Sequence, residues 1–186
     1  MPPLILASAS PRRRDLLQRD GYDFQVVPAD VTEIAPSDLT PAELTLGNAR
    51  LKARAIAAAH PDQIVLGADT VVAFAGEVFG KPRDMDEALA MVSRLSGRVH
   101  EVWSGVWLVR GTSETAFNEV TRVRFRPLDA AQLRAYLARI APLDKAGAYA
   151  AQDDRGELIE SVEGCFDNVV GLPMKALART LAKFAE

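Results

Sequence analysis

One cysteine, Cys165, stands in 186 residues. No internal disulfide can form, and with no CxxC pair or Cys/His cluster there is no structural-zinc signature. A lone thiol suits a reducing cytoplasm as the compartment. Long apolar runs are missing too. None approaches the roughly 20 residues of a membrane-spanning helix, and the N-terminus lacks a basic segment followed by an apolar one. The expectation is a cytoplasmic protein with no membrane partner. There is no excess of positive charge: 22 Lys and Arg against 25 Asp and Glu leave a net charge of −3. Aromatic residues are 6% and scattered. Both disfavour a nucleic-acid partner, and any basic patch must be local, which suits a small polyanion. Repeats, low-complexity tracts and disordered linkers are absent as well. The length supports residues 1–186 as a single domain with a full core, not two independent ones. The two histidines are not read as catalytic. His60 lies at a helix end, and His100 lies in a strand with no acidic partner at useful spacing.

What is present begins with the stretch Leu4 to Leu17, LILASASPRRRDLL. Leu4, Ile5 and Leu6 read as a short buried strand. Ala7, Ser8, Ala9 and Ser10 are small residues where a loop passes close to something. Ser10 is a natural N-cap and Pro11 a first helical residue, with Gly21 closing the helix. Arg12, Arg13 and Arg14 then fall in the first turn, where the macrodipole is already positive and an exposed cation costs roughly 0.3–1 kcal/mol. Free amide groups, a small-residue loop and misplaced arginines make a phosphate site the functional reading. A solvated basic helix end is the alternative.

Further along, Phe24, Val26 and Val27 form a second strand stopped at Pro28, and a polar loop carries Asp30, Glu33 and Asp38. Thr40, Pro41 and Glu43 open a helix that runs through Lys52 toward His60 and Pro61. Ile64 to Phe79 resembles a hairpin, its first strand interrupted by Gly67-Ala68-Asp69-Thr70. An Asp84-capped helix with Glu87 at the box position buries Ala88, Met91, Val92 and Leu95. Val99–Val109 and Phe117–Phe125 read as long antiparallel strands. The arginines at 122, 124 and 126 alternate onto one face, best taken as a solvated outer one. Asp129 with Gln132 begins another helix, in which Leu133, Tyr136, Leu137 and Ile140 form a core stripe. A last helix buries Leu177, Leu181 and Phe184. The pattern is a mixed-sheet α/β protein, read as two lobes around a central cleft.

Asp69, flanked by small residues inside an apolar strand, is either a structural carboxylate satisfied by neighbours or a metal ligand and base. Lys81, on the stiff Gly80-Lys81-Pro82 loop, is by itself a surface lysine. Gln152, ending the small-residue loop Asp144–Gln152, is by itself a surface glutamine, although its carboxamide both donates and accepts and suits a base edge.

Together these strings resemble the Maf family of nucleoside triphosphate pyrophosphatases: LASASPRRRDLL at 6–17, LGADTVV at 66–72, GKP at 80–82, LSGRVH at 95–100, DKAGAYAAQ at 144–152 and NVVGLP at 168–173. The resemblance covers nearly the whole chain. It implies a mixed twisted sheet with flanking helices around a cleft, similar to inosine triphosphate pyrophosphatases. It also implies hydrolysis of a nucleoside triphosphate between the α- and β-phosphates, with a divalent cation, Mg2+ or Mn2+. By resemblance Ser8, Ser10, Arg12, Arg13, Lys52 and Lys81 hold phosphates, Asp69 is the general base, and Glu33 and Asp69 are metal ligands. Arg12, Thr70 and Gln152 match positions that track specificity and follow the pattern of the branch acting on dTTP and UTP. A 7-methyl-GTP pyrophosphatase and a nucleotide-binding regulator of septum formation are the rival readings. A homodimer is the usual assembly of such folds. The chain departs from the family pattern at Ala150-Ala151, where Gly-Ile is commoner, and at Asp153-Asp154-Arg155, where a glycine-rich segment is usual.

Overall fold

The computed structural model describes residues 4–36 and 39–184; Asp38 lies outside them. The strands are β1 (Leu4–Leu6), β2 (Phe24–Val26), β3 (Ile64–Phe74), β4 (Glu77–Phe79), β5 (Val99–Arg110), β6 (Ser113–Phe125) and β7 (Ile159–Glu163). The helices are α1 (Pro11–Arg19), α2 (Pro41–Ala57), α3 (Met85–Leu95), α4 (Ala130–Leu137), α5 (Phe166–Val170) and α6 (Met174–Phe184). Seven strands form one mixed sheet in the order β2-β1-β3-β5-β6-β7, with β4 paired to β3. The α/β mixed sheet is therefore as expected. Among the described residues no helix is long and apolar enough to cross a membrane.

The apolar run Leu4–Leu6 forms a central parallel strand, paired with β2 on one side and β3 on the other. All three side chains are buried, which is why this strand does not alternate. β3 corrects the expectation of an interrupted strand, because Gly67-Ala68-Asp69-Thr70 continues it without a break. Gly67 is there for space: a Cβ would lie 2.1 Å from the Ala49 carbonyl oxygen and 2.8 Å from the Ala53 nitrogen of α2. Gly105 of β5 does the same farther along the helix, where a Cβ would lie 2.5 Å from the Thr45 carbonyl carbon. Helix α2 thus lies directly on the backbone of two strands.

Local capping signals act largely as read. Thr40 with Glu43 and Asp129 with Gln132 form complete capping boxes. Four details differ. The Ser10 hydroxyl makes no capping bond to α1. Glu87 leaves its box and accepts instead from the Arg83 backbone and guanidinium, the nearer strong donors. Phe184 is only half-buried, while Leu177 and Leu181 are in the core. Helix α2 ends at Ala57, before His60. Arg122 and Arg124 are exposed and lie near Glu101 and Glu160, as a solvated face requires.

The chain divides into two compact units. The first comprises the chain up to Thr70, Ser104–Glu119 and the chain from Gly171; the second comprises Val71–Trp103 and Val120–Val170. In the first, Ile5, Ala7 and Val65 pack against Ala53 and Ala57 of α2. In the second, Val92 and Leu95 of α3 and Leu133, Tyr136 and Leu137 of α4 share a core with Phe125, Tyr149 and Leu158. His100 sits inside this second core, edge-on to Phe125 and Tyr149. Its Nε2 meets the Tyr149 hydroxyl at 3.1 Å, and its buried Nδ1 has no hydrogen-bond partner among the described residues.

Burial lowers the His100 pKa from 6.5 to about 4. Between those values the unfolded chain binds a proton that the folded protein refuses. Stability is therefore complete above about pH 6.5 and declines as pH falls toward 4, by about 3 kcal/mol at 1.36 kcal/mol per pH unit. Urea unfolding at pH 7.5 and 4.5 should show a larger acid loss in the wild type than in His100→Gln. Equal losses would assign the acid sensitivity elsewhere.

Candidate active site

Strand β1 ends in a small-residue loop that delivers Ser8 and then α1. Ser8 is buried, and its hydroxyl accepts from the Ser10 backbone N–H at 3.2 Å and from Arg13 Nη1 at 3.1 Å. Arg13 Nε donates to the Gly171 carbonyl at 2.9 Å and Nη2 to Thr70 Oγ1 at 3.1 Å. Three of its five N–H donors thus meet neutral oxygens, and none of them meets a carboxylate. Burial lowers the Arg13 pKa, opposed first by the field of Asp69 and reinforced by neighbouring Arg12, with Glu33 also raising it. The guanidinium nevertheless stays charged, since its ordinary value of 12.5 is so high. The result is a fixed, buried positive charge held in place by uncharged groups. Arg12 is half-buried, whereas Arg14 is exposed and pairs with Asp15.

The second half of the site rests on α2. Asn48 and Lys52 are four residues apart and so occupy one helix face. Both reach Asp69 of β3: Lys52 Nζ lies 2.8 Å from Oδ1, and Asn48 Nδ2 donates to Oδ2 at 3.2 Å. Lys52 Nζ also lies 2.8 Å from Glu33 Oε1. The side chains of Lys52 and Asp69 are only 11% and 10% exposed, against 48% for Glu33. Asn48 further accepts from the Ile34 backbone N–H at 2.7 Å, pinning the loop that carries Glu33. Asp69 is therefore not an orphan: Lys52 and Asn48 satisfy both of its carboxylate oxygens. It shares one ammonium with a second, more exposed acid.

Thr70, the next residue of β3, supports Arg13. Its hydroxyl lies 2.9 Å from Ser104 Oγ and 3.3 Å from the Gly171 carbonyl. The first unit thus brings together Ser8, Ser10, Arg12, Arg13, Glu33, Lys52, Asp69 and Thr70. Lys81 and Gln152 belong to the second unit, and both are exposed. Their loops are joined there by a bond from the Gly147 N–H to the Gly80 carbonyl at 3.0 Å. Sequence reasoning missed Asn48, Ser104 and Gly171. Two of them carried a signal: Asn48 stands one helical turn before Lys52, and Gly171 lies in the string NVVGLP at 168–173.

Oxygen donors from Asp69 and Glu33 around one cation fit Mg2+ or Mn2+, which take one or two carboxylates and complete their shell with water and substrate phosphate. Among the described residues no cluster of three or more His, Cys, Asp or Glu could hold a metal ion. A site of two carboxylates plus phosphate is what these residues can supply.

Comparison with known proteins gives relatives at nearly full length. The chain is 46% identical over 186 residues to the dTTP/UTP pyrophosphatase of Pelotomaculum thermopropionicum, covering 99% of this chain and 97% of that one. It is 48% identical over 184 residues to the enzyme of the same name from Symbiobacterium thermophilum, covering 99% and 95%. The Salinibacter ruber dTTP/UTP pyrophosphatase is 50% identical over 190 residues, covering 99% and 92%. Among solved structures, the Staphylococcus aureus Ham1 protein shares the fold, with a TM-score of 0.57 at 15% identity over 97% of this chain and 98% of that one. The Maf-like protein family matches residues 3–184, and with relatives of this identity and coverage the chain belongs to that family.

Proposed function

We propose that this protein hydrolyses dTTP and UTP at the bond between the α- and β-phosphates, releasing the nucleoside monophosphate and pyrophosphate. The observation that carries the reading is Arg13, a buried guanidinium held, among the described residues, by neutral oxygens in a loop and helix start that suit phosphate. Phosphoanhydride hydrolysis is mostly positioning and charge neutralisation. Ser8, Ser10, Arg12 and Arg13 bind phosphate oxygens. Lys52 adds a point charge from α2, and Lys81 is assigned to phosphate by the family pattern. Charge-assisted contacts of this kind contribute roughly 1.5–3 kcal/mol each. Asp69 takes the proton of the attacking water. Lys52 and Asn48 hold its carboxylate at a fixed angle. Asp69 and Glu33 hold Mg2+ or Mn2+, which when bound neutralises charge on the phosphate. Gln152 reads the O4 and N3–H edge shared by uracil and thymine. The lone cysteine is in keeping with a cytoplasmic setting.

Pyrophosphate release with magnesium from dTTP, UTP, CTP and 7-methyl-GTP tests the proposal. Release from dTTP and UTP in preference to the others is the expected result. Activity confined to 7-methyl-GTP would overturn the assigned substrate, and no turnover by folded, metal-loaded protein would overturn the enzymatic reading.

A further inference from the structure

The segment from Lys145 to Ala151 is held far more tightly than a surface loop of small residues needs to be. Ala148, Tyr149, Ala150 and Ala151 are all buried, and Gln152 emerges exposed directly after them. Gly147 and Ala148 both lie in the left-handed region, at φ +67° and +62°. For alanine that conformation is strained and persists only where the surroundings impose it. Gly147 has no room for a side chain, since a Cβ would lie 2.8 Å from Val72 Cγ2.

Two phenols impose the shape. The Tyr136 hydroxyl, on α4, accepts from the Ala150 N–H at 3.1 Å and lies 3.5 Å from the carbonyl of the same residue. The Tyr149 hydroxyl meets His100. Downstream of Gln152, the Asp154 carboxylate accepts the Leu158 and Ile159 N–H groups, both at 3.0 Å. The acid at the departure from the family pattern is thus the second clamp on this loop. Gln152 sits between two fixed points, Ala150 and Asp154, within one unit.

We infer that Tyr136 is a positioning residue for base recognition: its hydroxyl fixes the backbone of Ala150, two residues from Gln152, so that the carboxamide meets one pyrimidine edge. The inference rests on the reading of Gln152 as the base-reading group. A packing role needs only the ring of Tyr136; a positioning role needs the hydroxyl. Burial pushes the Tyr136 pKa up to about 12, so the hydroxyl keeps its proton at neutral pH.

The test is binding, independent of turnover, with the α,β-methylene analogues of dTTP and dCTP measured by calorimetry. Tyr136→Phe should reduce the preference for the dTTP analogue at least fivefold, through weaker binding of that analogue. Gln152→Ala should reduce it similarly, and the double variant should add nothing further. Tyr149→Phe, which frees the same segment from His100, should move the ratio in the same direction and serves if Tyr136→Phe does not fold. A wild-type ratio retained in Tyr136→Phe, or equal weakening for both analogues, would overturn the inference alone. A wild type that binds the two analogues equally would overturn the assignment of Gln152 and this inference with it. Pyrophosphate release from dTTP separately decides the enzymatic reading.

Discussion

Asp69→Asn should lower kcat for dTTP by about 10²–10⁴-fold, the usual contribution of a positioned general base. The amide preserves size and can still accept from Lys52, but it cannot take a proton from water. The phosphate-binding groups Ser8, Arg12 and Arg13 are untouched, so the loss should fall mainly on kcat, with a smaller rise in KM from the share of metal binding that Asp69 supplies beside Glu33. Removing one partner of a buried ion pair typically costs about 3–5 kcal/mol. Here Lys52 keeps Glu33 at 2.8 Å, so the stability loss should stay below that range. Lys52→Met gives the contrast. It leaves Asp69 buried with only Asn48 and should destabilise more than Asp69→Asn. Steady-state kinetics with urea unfolding on both variants separates the two effects. An Asp69→Asn enzyme within tenfold of the wild-type kcat would remove Asp69 as the base.

Much of this arrangement could be read in the chain wherever the signal was local. Thr40 with Glu43 and Asp129 with Gln132 announce helix starts because a capping box is set by a three-residue spacing, whatever packs above it. The run Leu4–Leu6 announces a buried parallel strand because burial on both faces removes alternation. The Asp69 stretch reads in sequence as a break, because an acid in an apolar strand is expensive, yet the strand is continuous. Its two partners lie 17 and 21 residues earlier and arrive only when α2 packs on β3. Ser10 looks like a cap, yet the Ser8 hydroxyl takes its N–H and Arg13 holds that hydroxyl in turn. The Tyr136 stripe reads correctly as core, but periodicity carries no information about where a phenol oxygen ends. The roles of Lys81 and Gln152 come from family motifs, since each alone is an exposed polar residue. Arg13 shows the limit of local reading most clearly: three consecutive arginines look equivalent, and only folding separates the buried one from its exposed neighbour Arg14.

Gly67→Ala should be the most damaging single-methyl change outside the chemistry. The new Cβ would stand 2.1 Å from the Ala49 carbonyl oxygen, 2.8 Å from the Ala53 nitrogen and 2.9 Å from the Ala53 Cβ. Two of these atoms are backbone, so no rotamer change relieves the overlap. Either α2 lifts off the sheet or β3 bends. Overpacking a well-filled core costs about 1–3 kcal/mol, occasionally more, and a backbone contact this short places the expectation at about 3 kcal/mol or above. The displacement also has a functional consequence, because the helix that must move carries both Asn48 and Lys52. Asp69 lies two residues past the glycine on the strand that the helix presses. Any residual folded protein should therefore lose activity beyond its loss of population, in kcat through the misaligned Asp69 and in KM through Lys52, which the proposal also places on phosphate. Gly21→Ala is the control. A Cβ there meets no atom within 4 Å, and its φ of +76° restricts the cost to backbone strain remote from α2. Urea unfolding should give a smaller loss for Gly21→Ala, with kcat per folded molecule unchanged. Should Gly67→Ala match that control in stability and kcat, the close seating of α2 on β3 would not be what aligns Lys52 and Asn48 with Asp69.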